Sequence, residues 1–410
     1  MRRAKIYAWA VSAFLLLNIL RALFRDGAFS TASAIGTYGA ANDVSETKEE
    51  LLIQGNPSLA FLEGIRGTVM EYGKYGLFTG LAFQSGWTVD DHGVENRTYS
   101  RRIIFCSSFS STPQVTLTLT GLDVVQIEEH DFRVGVYASS IDLNGFTINF
   151  ETCGDNQVYS IAASWIAYEQ PRSARAEERI VSGHQRSGLT MNEDWPLYKV
   201  INVEDVRFFL TRVTFERPFN EPPNVMVNLS GMDVNRDKNI RVSAYATFID
   251  SQGFDLKIET WADTEIKSVS VSWMAFEESR SHPAPLSLDS RIEIGEFKPG
   301  MHSESTWRLF DGRRHDTRSF SRRITFSHPF PVPPAVIVTV SGLDARKGTN
   351  LRLNTWASDV THESFVVNVE TWHDTQIYST GLTWIAFEVQ MPGRDSQGQT
   401  FACMSHAAIS

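Results

Sequence analysis

Apolar and polar residues alternate in short stretches along most of this chain. Val115, Leu117 and Leu119 interleave with Thr116, Thr118 and Thr120 before Gly121. A period of two interrupted by glycine predicts a half-buried strand ending in a turn. Phe146, Ile148 and Phe150 repeat the alternation after Asn144-Gly145, a dipeptide that tolerates positive φ and so predicts a hairpin turn. Ser164-Trp165-Ile166-Ala167-Tyr168 is apolar on both faces, which predicts a strand covered on both sides. No long amphipathic helix breaks these stretches, so each hundred residues reads as an antiparallel β-sandwich.

The alternation recurs three times. Pro113-Gln114-Val115 through Leu122-Asp123 matches Pro223-Asn224-Val225 through Met232-Asp233 and Pro334-Ala335-Val336 through Leu343-Asp344. Arg133, Arg241 and Arg352 follow one another at 108 and 111 positions, and Gly145-Phe146 returns at Gly253-Phe254, with Phe365 in the third copy. Each copy closes on one phrase: Trp165-Ile166-Ala167-Tyr168-Glu169, Trp273-Met274-Ala275-Phe276-Glu277 and Trp384-Ile385-Ala386-Phe387-Glu388. A fixed period with variable turns is the mark of one fold repeated. The expected architecture is all-β, with three tandem antiparallel β-sandwich modules over residues 66–170, 177–279 and 290–390. One face of each closing strand belongs to its own module. The other would meet a neighbouring copy, giving pseudo-threefold packing.

The flanks read differently. Arg2, Arg3 and Lys5 precede an apolar run from Ile6 to Leu20, so residues 1–34 fit a secretory signal peptide with Ala32-Ser33-Ala34 as the cleavage pattern. An uncleaved anchor over residues 6–24, a membrane link, is the alternative. The expected location is extracellular, with membrane-anchored and cytoplasmic locations left open. Residues 35–65 read as a linker, with a short helix at Glu46 to Ile53; Pro283-Ala284-Pro285 reads as a stiff connection, and 391–410 as a disordered tail. Asn96-Arg97-Thr98 is a glycosylation acceptor sequence expected in a loop.

Composition narrows the function. A formal net charge of −10 disfavours phosphate backbones, so nucleic acid is not an expected partner. Three cysteines, Cys106, Cys153 and Cys403, have no metal-ligand spacing and no counterpart in the other copies, which leaves room for one bridge and predicts no metal site. Glu151, Glu259 and Glu370, and Glu169, Glu277 and Glu388, recur with the fold, whereas a hydrolytic carboxylate pair is expected once. No phosphate loop, zinc-protease motif or nucleophile elbow is present, so neither catalysis nor a cofactor is expected.

Thr371-Trp372-His373-Asp374-Thr375-Gln376-Ile377-Tyr378, followed by Trp384-Ile385, resembles the signature of the H-type lectins, the family of the snail agglutinins and the discoidin carboxy-terminal domain. The Pro-Pro-Ala-Val strand, the Leu343-Asp344 turn and Asn350-Leu351-Arg352 fit the same family. The resemblance implies binding of galactose or N-acetylgalactosamine on glycans or glycoproteins, between adjacent protomers, with a role in adhesion or glycan recognition. It implies that Arg352 and Asp316 meet sugar hydroxyls, Trp372 and Tyr378 form an aromatic wall, and His373 and Asp374 add polar contacts. Asp316 enters this set through a one-residue gap in its loop. Chemically, a rigid donor fork, an acceptor and an aromatic platform match the hydroxyls and apolar face of a sugar.

The other copies depart from this set. The second keeps Arg241, Trp261 and Asp263 but has Ala262 for the histidine and Lys267 for the tyrosine. The first keeps Arg133 and Tyr159 but has Cys153-Gly154 for the Trp-His pair. If sites form between copies, a good arginine in one could meet a good aromatic in another. Two further readings stay open: an adhesion repeat whose sugar sites have degenerated, and an accessory module of a carbohydrate-active enzyme.

Overall fold

The computed structural model describes residues 60–65, 68–77, 96–126, 131–154, 156–169, 179–191, 194–200, 202–276, 291–312 and 316–388. The amino-terminal segment 1–34, the helix expected at Glu46 to Ile53, Pro283-Ala284-Pro285, Cys403 and the tail 391–410 lie outside these residues.

The first copy contributes β1 (Ala60–Ile65), β2 (Thr68–Leu77), β3 (Asn96–Ile104), β4 (Gln114–Val124), β5 (Phe132–Asp142), β6 (Gly145–Cys153) and β7 (Val158–Glu169). The second contributes β8 (Ile180–Gly188), β9 (Arg207–Thr214), β10 (Asn224–Val234), β11 (Ile240–Asp250), β12 (Gly253–Thr260) and β13 (Ile266–Phe276). The third contributes β14 (Ile292–Phe297), β15 (Arg318–Thr325), β16 (Ala335–Ala345), β17 (Leu351–Ser358), β18 (Ser364–Thr371) and β19 (Ile377–Phe387). The segment expected as a linker over 35–65 thus ends in a strand, paired antiparallel with β2.

No sheet belongs to one copy. The three antiparallel sheets run β1-β2-β7-β4-β17-β18-β15, β3-β6-β5-β10-β13-β8 and β14-β19-β16-β11-β12-β9. Each joins half of one copy to half of another. The seams are β4 with β17, β5 with β10 and β11 with β16. Three seams among three copies close a ring, which is the pseudo-threefold arrangement that the two-faced closing strand suggested.

That strand shows how the ring is filled. Trp165, Trp273 and Trp384 point into the core of their own sandwich, packed edge-on against Phe146, Phe254 and Phe365 at 5.3, 5.3 and 5.2 Å. Each such aromatic pair adds about 0.5–1.5 kcal/mol beyond its buried area. The opposite face carries Ile166, Met274 and Ile385 with Tyr168, Phe276 and Phe387, which form a second, separate core shared by all three copies. Deeper along the ring, Asn228 accepts hydrogen bonds from Thr339 (2.6 Å) and Thr383, giving the axis a polar layer.

Four local expectations change. Gly121 does not end its strand: β4 continues through Leu122-Asp123, because this stretch pairs with β17 of the third copy. The Leu-Asp and Met-Asp words are therefore seams, not turns. The glycine suits close approach, since a Cβ on Gly231 or Gly342 would lie 2.9 or 3.0 Å from a carbonyl across the seam. Thr116, Thr118 and Thr120 are buried along with the apolar face, since the strand faces the shared centre as well as its own sandwich. The hairpin after β5 turns on Leu143-Asn144, one residue earlier than expected, with Asp142 paired to Gly145. Gly145 is needed for space, because a Cβ there would lie 2.1 Å from the Ile103 carbonyl. Asn96-Arg97-Thr98 opens β3 rather than lying in a loop; Asn96 and Thr98 face outward and Arg97 is buried.

Candidate functional site

Each seam brings together a row of three residues. Arg352 pairs with Asp123 across the seam, and Asp123 pairs with Ser160 of β7. The same row reads Arg133, Asp233, Ser268 at the first seam and Arg241, Asp344, Ser379 at the second. Beside the row, the register of the closing strand slips: Asp123 faces Ser160 while Val124 faces Val158, which makes Tyr159 the extra residue of a β-bulge. Lys267 and Tyr378 are extra in the same way. Bulges re-aim a side chain out of the alternating pattern. Here the re-aimed side chain serves the neighbouring copy: the Lys267 ammonium of the second copy lies 2.5 Å from the Asp131 carboxylate of the first. Trp195 and Trp307 donate indole hydrogen bonds of 2.7 and 2.8 Å to the carbonyls of Ile266 and Ile377, fixing the strand just before two of these bulges.

The expected set is thereby regrouped. Tyr378 does not share a seam with Arg352; it stands in the row of Arg241 and Asp344. Arg352 instead has Tyr159 of the first copy at its seam, and Lys267, read above as a loss in the second copy, belongs to the seam of Arg133.

At the third seam the Arg352 guanidinium donates from Nη1 to Asp374 at 2.8 Å and to Thr375 Oγ1 at 3.3 Å, and its Nε forms an ion pair with Asp123 at 3.4 Å. Nη2 has no protein partner among the described residues. Burial pushes the Asp123 carboxyl up to about 6, against the opposing pull of Arg352 and a hydrogen bond from Asn350. Trp372 is half-buried, His373 is exposed, and Tyr159 is 41% exposed.

The turn carrying Trp372-His373-Asp374 stands on a side chain that the sequence reading did not single out. Arg318, buried at the start of β15, donates to the backbone carbonyls of Asp316 (3.3 Å), His373 (2.6 Å) and Thr375 (2.5 Å). Arg207 does the same for Ala262 and Thr264, and Arg97 for Gly154 and Asn156. The residue held is left-handed in each copy, with φ of 67° at Gly154, 54° at Ala262 and 55° at His373. Non-glycine residues rarely adopt this conformation and keep it where surrounding bonds enforce it. The signal was available, because Arg97, Arg207 and Arg318 recur at 110 and 111 positions. Asp316 is exposed, and its carbonyl shares Arg318 Nη1 with the carbonyl of His373.

The second seam repeats this geometry. Arg241 donates from Nη1 to Asp263 at 2.6 Å and Thr264 at 3.2 Å, and its Nε stands 3.5 Å from Asp344. Here too Nη2 has no protein partner among the described residues. Burial raises the Asp344 carboxyl while the Arg241 charge and a hydrogen bond from the half-buried Trp261 pull it down. This seam lacks the histidine alone.

The first seam is closed on itself. Arg133 uses all three nitrogens on protein: Nε to Asp233 (3.1 Å), Nη1 to the Cys153 carbonyl (3.3 Å) and Nη2 to Asp131 (2.5 Å). Asp131 stands where the other copies have Asn239 and Asn350, and it also binds Lys267 and the Arg236 backbone N–H. Burial would raise its carboxyl, but these donors outweigh that and hold it below the usual range. Cys153 is a free thiol, whereas Cys106 is disulfide-bonded. The recurring Glu169 is occupied structurally, accepting from the Ser110 backbone at 2.8 Å and the Ser111 hydroxyl at 2.6 Å.

Comparison with known proteins agrees with the repeat. Residues 100–168, 210–276 and 321–387 each match the H-type lectin domain. A curated protein of Fuscovulum blasticum, described as ATP synthase subunits region ORF 7, is 40% identical over 68 residues; the match covers 17% of this chain and 59% of that protein, so the chain spans under two thirds of its length. Two solved structures of discoidin II from Dictyostelium discoideum, one recombinant and one wild-type, are each 12% identical with TM-scores of 0.22. They cover 47% and 54% of this chain and 80% and 100% of their own. At that score the overlap carries no argument. The three domain matches, one for each copy, do: this chain belongs to the H-type lectin family and carries three of its domains in tandem.

Proposed function

We propose that the protein is a multivalent lectin without catalytic activity, which reads galactose-type glycans, N-acetylgalactosamine foremost, at its second and third seams. One observation carries this reading. Arg241 and Arg352 each pair with two carboxylates and keep Nη2 unpartnered among the described residues, beside a half-buried tryptophan, while Arg133 at the first seam is fully engaged. A fixed guanidinium edge next to an indole face offers a sugar a charged donor and an apolar platform together. Single sites of this kind are weak, and two on one rigid ring gain by effective concentration on a glycan surface. The basic and apolar amino terminus favours action outside the cell, on glycoproteins or other glycoconjugates.

Calorimetric titration of the full chain with N-acetylgalactosamine tests the reading. The expected result is two sites, one removed by Arg241→Ala and one by Arg352→Ala. Absence of binding to N-acetylgalactosamine and galactose would sink the specificity, and heat unchanged in both variants would sink the site. A first seam closed by ion pairs also fits the adhesion-repeat reading at that one seam, where the contact has become structural.

A further inference from the structure

A cavity of about 790 Å³ opens between the first and second copies, lined from β4 and β5 on one side and β8, β10 and β13 on the other. It begins two residues along β5 from Arg133, at Gly135. Its size lies within the range of about 300–1,000 Å³ usual for small-molecule sites.

The sister seams show why it exists. In the strand register, Thr116 of this seam corresponds to Met226 and Ile337, and Ser182 to Ile294 and Tyr72. Those four apolar residues pack into the shared central core, with Tyr72 edge-on to Phe387 at 5.0 Å. Where they would close the seam, the first seam has two small hydroxyl residues and remains hollow. Its floor includes Ser230, which is fully buried and whose hydroxyl has no hydrogen-bond partner among the described residues. A buried polar group without a partner costs free energy unless something supplies the missing bond.

The lining chemistry selects the ligand. Arg186 and Glu151 are opposite charges 3.8 Å apart, so the rim offers no net charge to an ion. Hydroxyls and the Gln114 amide both donate and accept, as sugar hydroxyls do. Tyr137, 37% exposed, adds an aromatic face. We infer that this cavity is a second binding site, separate from the seam arginines, for a neutral oligosaccharide of a few units. It does not rest on the galactose reading.

The test is an array of neutral gluco-, manno- and xylo-oligosaccharides of two to four units, probed with the full chain as wild type and as the Arg241→Ala, Arg352→Ala double variant. Binding of at least one class is expected, equal in both proteins. Ser182→Ile, which installs the residue of the second seam, should weaken that binding at least tenfold. Tyr137→Ala, which alters an exposed side chain and leaves the core intact, should weaken it several-fold and decides the matter if Ser182→Ile fails to fold. No binding of any of these glycans, or binding that both cavity variants leave unchanged, overturns the inference. Loss in the arginine double variant alone overturns it as well, while leaving the galactose reading in place.

Discussion

The first and third seams use the same strands in the same register, and each places an arginine against an aspartate of the next copy. They differ in what surrounds that arginine. At the third seam an asparagine precedes it, a tyrosine occupies the facing bulge and a Trp-His pair lies beside it. At the first seam these are Asp131, Lys267 and Cys153-Gly154. Exchanging asparagine for aspartate and tyrosine for lysine produces a new Lys267–Asp131 ion pair, and Asp131, with Asp233 and the Cys153 carbonyl, engages the whole guanidinium. One ring thus contains a seam that holds copies together and seams with an edge left to offer. The difference teaches that the shared arginine is not itself the sign of a binding site. On the proposed reading, the sign is a guanidinium nitrogen left without a partner among the described residues.

The largest effect should come from the feature the seams share. Arg318→Met would leave the carbonyls of Asp316, His373 and Thr375 without their donor, and each buried acceptor left unmade costs about 1–3 kcal/mol. A loss of roughly 3 kcal/mol is expected in chemical denaturation, accompanied by loss of sugar binding at the third seam. Arg97→Met should destabilise comparably and leave sugar binding unchanged. If Arg97→Met also abolished binding, the division between closed and open seams would be wrong.

Arg352→Ala comes next. Hydrogen bonds to charged groups contribute about 1.5–3 kcal/mol, so affinity at the third seam should fall by about 10- to 100-fold. Arg133→Ala should leave affinity unaltered and lower stability instead, because Asp131 and Asp233 lose a countercharge in a partly buried setting. Titration and unfolding measured on both variants separate these outcomes.

A smaller effect is expected from pH. The Asp123 carboxyl sits at about 6, above the value of an exposed aspartate, so its charged form is disfavoured by folding. Its contribution to stability is full at low pH and declines as pH rises through 6; between pH 5 and 7 the decline is about 1 kcal/mol. Binding should run the other way. Protonation removes one of the two carboxylates that orient Arg352, so affinity at the third seam falls on acidification with a midpoint near 6. Asp123→Asn should flatten both curves, and a pH-independent affinity in the parent protein would remove Asp123 from the site.

Much of the ring was legible in the sequence, and the reason is local. Period-two alternation, the triple recurrence and the two-faced closing strand are each set by residues close together in the chain. What stayed hidden was register between copies. Leu122-Asp123 reads as a turn because a glycine precedes it, yet it is held straight by β17, more than two hundred positions away. The same non-local pairing places Tyr159 at the seam of Arg352 and Tyr378 at the seam of Arg241; alignment of copies assigns each tyrosine to its own arginine and cannot reveal the swap. Lys267 reads as a lost tyrosine in an alignment of copies, yet it pairs with Asp131 of the first copy, and the asparagine-to-aspartate change at that position stands in the sequence beside Arg133. The buried Arg97, Arg207 and Arg318 were visible as a recurrence, but nothing local says that their partners are backbone carbonyls.

The finest test lies at the left-handed residue of the turn. Position 154 is glycine in the closed seam, and positions 262 and 373 are alanine and histidine in the open ones, all with φ near 55–67°. Glycine adopts this conformation without steric cost but loses more backbone entropy on folding, two effects of about 0.5–1 kcal/mol that oppose each other. His373→Gly should therefore change stability by less than about 0.5 kcal/mol, while removing an exposed imidazole beside Trp372 and weakening binding a few-fold. Ala262→His should do the converse, strengthening the second seam by a similar factor with the turn already in place. If adding the histidine has no effect while removing it does, the seams differ in more than this side chain. Tyr159→Phe and Tyr378→Phe, one at each of these seams, then become the variants to compare.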